Sequence, residues 1–250
     1  MDARQNLLVL TSVIGAILFS LATEARATLI IVLRDDTTVI IGADSQLSNS
    51  QKMPSGNSCK IRFTNNYVWM TAGLYRDGPF FDVWAEAQSA ISAGGSLEDI
   101  VSRFERAVTN GLQEYLTGMK ATQPDLYAAL VARSSNVVSS IFLERTNVVT
   151  SSFSLPDANT PQNIKVARHS CPGICPAERI YRFVIGNFDA AEAELARFPT
   201  LWDTKGFVEG IKYLMEVQHQ ATPTDVAAPV SILRVNKDGT KQWLQNGLCN

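Results

Sequence analysis

Two apolar runs separated by four polar residues constrain this chain most. They are TLIIVL (residues 28–33) and TVIIGA (residues 38–43), on either side of Arg34-Asp35-Asp36-Thr37. Both are rich in β-branched residues and neither alternates with polar ones, which is the pattern of a buried strand. The polar turn makes them a hairpin. A midpoint near Asp36 pairs positions whose numbers sum to about 72, so Thr28 falls opposite Asp44 to within one residue of register. A second pair of runs, residues 58–64 and 67–72, flanks Asn65-Asn66, residues that tolerate turn conformations. Its sum near 131 sets Lys60 across from Thr71, with Gly73 just beyond. The two hairpins converge on one end.

Helical spacing follows. Phe80, Trp84, Ala87 and Ile91 share one face after Gly78-Pro79, and Gly94-Gly95 ends that segment. Ser96-Leu97-Glu98-Asp99 resembles a capping box, and Leu97, Ile100, Val101, Phe104, Val108 and Leu112 continue at the helical period. Strands are expected at 126–133, 137–144 and about 148–155, a loop-like stretch at 157–178, and a further strand at 179–185. Two helical segments, 189–197 and 202–219, precede a last hairpin of 230–235 with 241–245 about Asp238-Gly239. The order is strands, two helices, strands, two helices, strands. This is an α+β chain, and a four-layer αββα sandwich would bury every one of these stripes.

The first 27 residues stand apart. Residues 7–21 form an uncharged apolar run behind Arg4, and a polar stretch then ends in Ala25-Arg26-Ala27. Small residues at the last and third-last positions suit signal peptidase, and the run is shorter than a membrane span. The expected organisation is a signal peptide at 1–27 and one mature domain at 28–250, exported to a periplasmic or extracellular location and keeping no stable membrane anchor after cleavage. A formal net charge of -2 gives no support for a nucleic-acid partner. Cys59, Cys171, Cys175 and Cys249 permit two disulfides in three connectivities. Cys171 and Cys175 lie in HSCPGIC, where a Pro-Gly bend can bring them together as a local disulfide or leave them as free thiols. His169 is close by, but the spacing fits no standard zinc pattern, and no cofactor or metal is expected.

Cleavage after Ala27 would make Thr28 the first residue. A terminal threonine joins a hydroxyl nucleophile to an α-amine with an unperturbed pKa of about 7.7–8.0, which can accept the hydroxyl proton at neutral pH. A lysine ammonium nearby depresses that amine by like-charge repulsion and stabilises developing negative charge, while a carboxylate keeps the lysine charged and in place. Lys60 and Asp44 are the candidates. Gly73 can offer its backbone N–H to an oxyanion with no side chain in the way.

TLIIVLRDDTTVIIGADSQ, continuing through SCKI to MTAGLYRDG, resembles the start of proteasome β subunits and their bacterial relatives. Asp44 follows Thr28 by 16 residues and Lys60 follows Asp44 by 16. The resemblance implies that Thr28 is the nucleophile, that Asp44 and Lys60 complete a triad, and that Gly73 serves the oxyanion hole. It also implies the αββα fold and self-assembly into a homo-oligomeric ring. It is strong to about Asp77 and architectural beyond. Where that family commonly carries a serine after the glycine preceding its third helix, Gly186 is followed by Asn187. Asp225 matches a supporting aspartate, and Ala228 stands where a serine would follow it. The expected activity is amide hydrolysis through an acyl-threonine ester, on peptides or proteins. The alternatives are a small-molecule amidase or acylase with the same nucleophile, and a non-catalytic ring or binding subunit. Near the expected substrate pocket stand Leu47, Ser58, Arg62 and Thr71. His169 and His219 are far from this group in sequence.

Overall fold

The computed structural model describes residues 24–25, 28–48, 54–64, 66–77, 81–132, 136–175 and 180–249. The rest of residues 1–27, expected above as a signal peptide, lies outside the described residues, as do Asn65, Gly78, Pro79 and Phe80. Among the described residues no helix is long and apolar enough to cross a membrane.

The first hairpin consists of β2 (Leu29–Arg34) and β3 (Thr38–Ala43). Its register pairs Ile30 with Ala43 and Arg34 with Val39, a sum of 73. The one-residue difference from the expected 72 arises in the turn. Asp35 Oδ1 accepts the N–H groups of both Thr37 (2.7 Å) and Thr38 (2.7 Å), so the bend is centred between Asp36 and Thr37. These strands lack alternation because both faces are covered. Ile30, Val32, Ile41 and Ala43 face a second sheet, whereas Leu29, Ile31, Leu33 and Ile40 face helices.

The sheet around them runs β12-β2-β3-β13-β14, where β12 is Tyr181–Gly186, β13 is Ser231–Asn236 and β14 is Lys241–Gln245. The facing sheet is built on β7 (Tyr67–Asp77), β9 (Asn136–Glu144), β10 (Asn147–Ser154) and β11 (Lys165–Cys171). The short strands β1 (Glu24–Ala25), β6 (Arg62–Phe63) and β8 (Phe81–Asp82) all pair with β7. A separate two-stranded ribbon, β4 (Gln46–Ser48) with β5 (Pro54–Asn57), follows β3 in the chain.

Helices α1 (Val83–Ser92), α2 (Leu97–Thr122) and α3 (Pro124–Val131) cover the outer face of the β7 sheet. The Ser96/Asp99 capping box opens α2, and Phe104 packs edge-on against Phe142 and Phe153. Helices α4 (Asp189–Arg197) and α5 (Leu201–Ala221, broken at Gly206) cover the β2–β3 sheet. Here Gly42 matters: a Cβ would fall 2.2 Å from Ile211 Cγ2, so α5 seats directly on the backbone of β3. The result is the four-layer αββα sandwich of an α+β chain, with one apolar core between the sheets and one under each helical layer.

Two elements differ from the expectation. Residues 126–133 were expected as a strand, but Pro124–Val131 is helix. Pro124 at the first turn, followed by Asp125, is a start signal, and the one-turn spacing of Tyr127 and Leu130 turns both inward. The expected loop at 157–178 contains β11, an edge strand whose first five residues are exposed and therefore carry no buried pattern.

Candidate active site

Asp44 sits where β3 ends. Its N–H donates to the Leu29 carbonyl at 3.2 Å, and its Oδ1 accepts the Leu29 N–H at 2.7 Å. The carboxylate is therefore fastened to the peptide that follows Thr28. Oδ2 accepts the Gln46 N–H at 3.0 Å. Lys60 Nζ donates to both oxygens, at 3.0 and 2.9 Å, and the two side chains are 1% and 0% exposed. Burial pushes the Lys60 ammonium down from its ordinary pKa, against the pull of Asp44. It pushes the Asp44 carboxyl up, against Lys60 and the N–H groups of Leu29 and Gln46. A buried ion pair of this kind is a costly way to stabilise a fold, since apolar side chains of similar volume often do as well or better.

Thr28 is 4% exposed in this chain, where it is joined to the residues that precede it. Its carbonyl accepts the Asn187 N–H at 2.9 Å. Gly186 makes that contact possible, because at φ 100° it lies so close that a Cβ would stand 1.8 Å from Thr28 O. Asn187 Nδ2 donates to Asp225 Oδ2 at 2.9 Å, and Gln218 Nε2 donates to Asn187 Oδ1 at 3.3 Å. Gln218 is buried on α5, and its Oε1 accepts the N–H groups of Ala190 and Ala191 at the start of α4. A chain of amides and one carboxylate thus runs from α5 to the Thr28 carbonyl. Asn187 fills the place where the sequence departs from a serine, and Asp225 is its partner. Ala228 contributes no polar side-chain atom. Gln218 was missed in the sequence; its one signal was a polar residue in line with Ile211, Leu214 and Met215 on the buried face of α5.

Gly73 lies on β7 opposite Val138, at φ 92°, and a Cβ would stand 2.3 Å from the Val137 carbonyl. One residue further on, the short strand β1 lies antiparallel to β7, with Ala25 opposite Leu74 and Glu24 opposite Arg76. Glu24 and Ala25 thus add a strand to the sheet that carries Gly73.

Of the other candidates, Leu47 and Ser58 are half-buried. The Arg62 guanidinium lies over the Trp84 ring, 4.6 Å from its centroid. Thr71 is buried; its hydroxyl donates to the Ser139 carbonyl at 3.2 Å and accepts from Ser140. His169 lies on the exposed edge strand β11, and His219 Nδ1 meets the Val226 carbonyl near the end of α5. Cys59 is bonded to Cys249, and Cys171 to Cys175. Among the described residues no group of three or more His, Cys, Asp or Glu is placed to hold a metal ion.

No protein-family model matches the chain, and no curated protein matches it in sequence. Among solved structures, it is similar to an Anbu (Gly-1) mutant from Hyphomicrobium sp. strain MC1, at 14% identity, with 87% of each chain covered and a TM-score of 0.47. It is also similar to Anbu, described as an ancestral beta-subunit, from Yersinia bercovieri, at 13% identity, 86% coverage of each chain and a TM-score of 0.45. A third match is eukaryotic HslV from Trypanosoma brucei, at 16% identity, covering 83% of this chain and 99% of that one, with a TM-score of 0.43.

Proposed function

We propose that this chain is an N-terminal-threonine hydrolase that cleaves peptide bonds, with Thr28 as nucleophile once residues 1–27 are removed. The observation that carries the reading is the buried Lys60–Asp44 pair fastened to the Leu29 N–H, immediately beside Thr28. In the mature chain the Thr28 hydroxyl attacks the substrate carbonyl carbon and its proton passes to the Thr28 α-amine. The new C–O bond forms as the carbonyl π pair moves onto oxygen, where the Gly73 N–H stabilises the negative charge. Collapse breaks the C–N bond, and the leaving amine takes the proton back from the α-ammonium. Water then hydrolyses the acyl-threonine ester, with the same amine as base. The Lys60 ammonium, fixed by Asp44, keeps the amine unprotonated at neutral pH and offsets the developing charge.

The pairing of β1 with β7 supports a peptide over a small amide. An extended chain can add to β7 by main-chain hydrogen bonds and deliver its carbonyl beside Gly73. Export is supported by the leader composition and by two disulfides, a pairing that persists in oxidising compartments. A ring of identical subunits is the assembly implied by the resemblance to proteasome β subunits.

The test is the intact mass of the exported protein before and after a threonine-directed β-lactone. The expected result is a chain beginning at Thr28 that gains one inhibitor mass. A retained leader, or a mature chain that takes up no inhibitor and cleaves no fluorogenic peptide, overturns the proposal.

A further inference from the structure

We infer that the Cys59–Cys249 disulfide is a positioning element of the active site, holding Lys60 against Asp44 so that turnover requires this bond to be oxidised. The inference rests on the hydrolase reading above.

Lys60 does not stand on a strand. β5 ends at Asn57 and β6 begins at Arg62. The β6–β7 register, Arg62 with Trp69 and Phe63 with Val68, would set Lys60 opposite Thr71, but pairing stops at Arg62 and Thr71 turns its hydroxyl to Ser139 instead. Residues 58–61 are therefore a connector. One main-chain anchor is Ser58 N–H to the Ser45 carbonyl at 2.8 Å, and Ile61 is buried in the core between the sheets. The disulfide at Cys59, immediately before Lys60, adds a covalent tie to these non-covalent contacts.

The other end of the tie is fixed to the strand end that carries Asp44. Cys249 is buried in the core between the sheets. Its Sγ lies 3.2 Å from Ser231 Oγ, and that same oxygen accepts the Gly247 N–H at 3.2 Å. Gly247 approaches so closely that a Cβ would fall 2.8 Å from Ser231 Oγ and 3.0 Å from the Val230 carbonyl. Gln245 Nε2 adds a hydrogen bond to the Val230 carbonyl at 3.0 Å. Ser231 pairs directly with Ala43, the residue before Asp44. The C-terminal tail is thus bound to the end of β3, and the disulfide draws the lysine connector onto that end. Reduction by a dithiol adds two electrons and two protons, giving two thiols while the dithiol becomes a disulfide; the connector then loses its covalent tie to the end of β3. The second disulfide is an internal control. Cys171–Cys175 closes a turn at the end of the edge strand β11, and neither cysteine is next to a site residue in the chain.

The experiment uses the exported, mature protein and a fluorogenic peptide amide, with kcat expressed per site titrated by the β-lactone. In a Cys171→Ser/Cys175→Ser background, which is expected to match wild type, a dithiol should lower kcat about 10- to 100-fold with KM within about 2-fold, since small displacements of a catalytic group act on kcat. Oxidised glutathione should restore it. Cys59→Ser/Cys249→Ser should show the same loss without recovery, and hydrogen exchange should report lost protection confined to residues 54–64. A kcat per titrated site unchanged by reduction overturns the inference and leaves the hydrolase reading standing. Global loss of protection on reduction also overturns it, because the bond would then hold up the whole fold. A wild-type protein with neither turnover nor adduct sinks the hydrolase reading and this inference together.

Discussion

Lys60 Nζ lies 3.0 and 2.9 Å from the two carboxylate oxygens of Asp44, and each side chain is at most 1% exposed. Neither charge is tolerable alone in that position. Lys60→Met should cost ~3–5 kcal/mol, because it leaves a buried carboxylate without its counter-charge. Adding Asp44→Asn should recover much of that loss, since the amide oxygen can still accept one of the Leu29 and Gln46 N–H groups. Turnover should be absent in both variants. Denaturant melts read the stability, and peptide cleavage reads the activity. Equal stability of the single and double variants would mean that the pair is not electrostatically coupled.

The Asn187 N–H to the Thr28 carbonyl is a main-chain bond that a change of the Thr28 side chain leaves in place. Thr28→Ala should fold with a stability within about 1–2 kcal/mol of wild type, yet take up no β-lactone and cleave no peptide. Thr28→Ser keeps the hydroxyl and the amine and should retain part of the rate. Both variants are compared by inhibitor mass shift. Full turnover by Thr28→Ala would move the nucleophile elsewhere.

The layers of the fold were legible because their patterns are local. The uninterrupted runs at 28–33 and 38–43 announce strands covered on both faces, and the capping box at Ser96 announces α2. Misreadings arose where the local signal is silent or shared. The run at 126–131 is apolar without a distinctive period, and β11 shows no buried face because it lies on an edge. For the site, the spacing singled out Asp44 and Lys60, which the structure joins as a buried pair beside Leu29, while the hairpin argument placed them only approximately. Asp44 reaches Leu29 through its side chain one register step away from the expected pairing, and Lys60 stands on a connector instead of a strand. The Asn187–Asp225–Gln218 chain and the Cys59–Cys249 bond join residues 31 to 190 positions apart, and no local pattern encodes such meetings.

Carboxylates in the turns and caps contribute to the resistance of the fold to acid. Hydrogen bonds from Ser96, Thr160 and Thr240 hold Asp99, Asp157 and Asp238 below the ordinary value of 3.8. A depressed folded-state pKa stabilises above the unfolded value, and that contribution disappears as pH falls through the folded one. Stability should therefore be level with respect to these groups above about pH 5 and decline below pH 3.8 as they take up protons. Urea midpoints between pH 2 and pH 6 measure this. Asp99→Asn combined with Asp238→Asn should flatten the decline, and an unchanged slope would show that these carboxylates are not responsible.

Gly186 separates the demands of folding from those of the site. Its φ of 100° is strained for any L side chain, and a Cβ would lie 1.8 Å from Thr28 O, inside any tolerable contact. The Thr28 peptide is main chain and cannot rotate aside as a flexible side chain would, so Gly186→Ala must shift β12 away from β2 or displace Thr28. Either response breaks the Asn187 N–H to Thr28 hydrogen bond. The expected cost is ~2–4 kcal/mol from strain and the lost bond, and on the proposed mechanism turnover per folded molecule falls about 100-fold because Thr28 is displaced. Gly42→Ala supplies the comparison. Its Cβ would meet the Ile211 side chain, Cγ2 at 2.2 Å, on the helical side of β3, so it should destabilise by ~1–3 kcal/mol through overpacking while leaving turnover per folded molecule near wild type. Activity normalised to the folded fraction distinguishes the two substitutions. If both reduce turnover equally, close packing of the β2–β3 sheet as a whole, and not the Gly186–Thr28 approach, governs the position of Thr28.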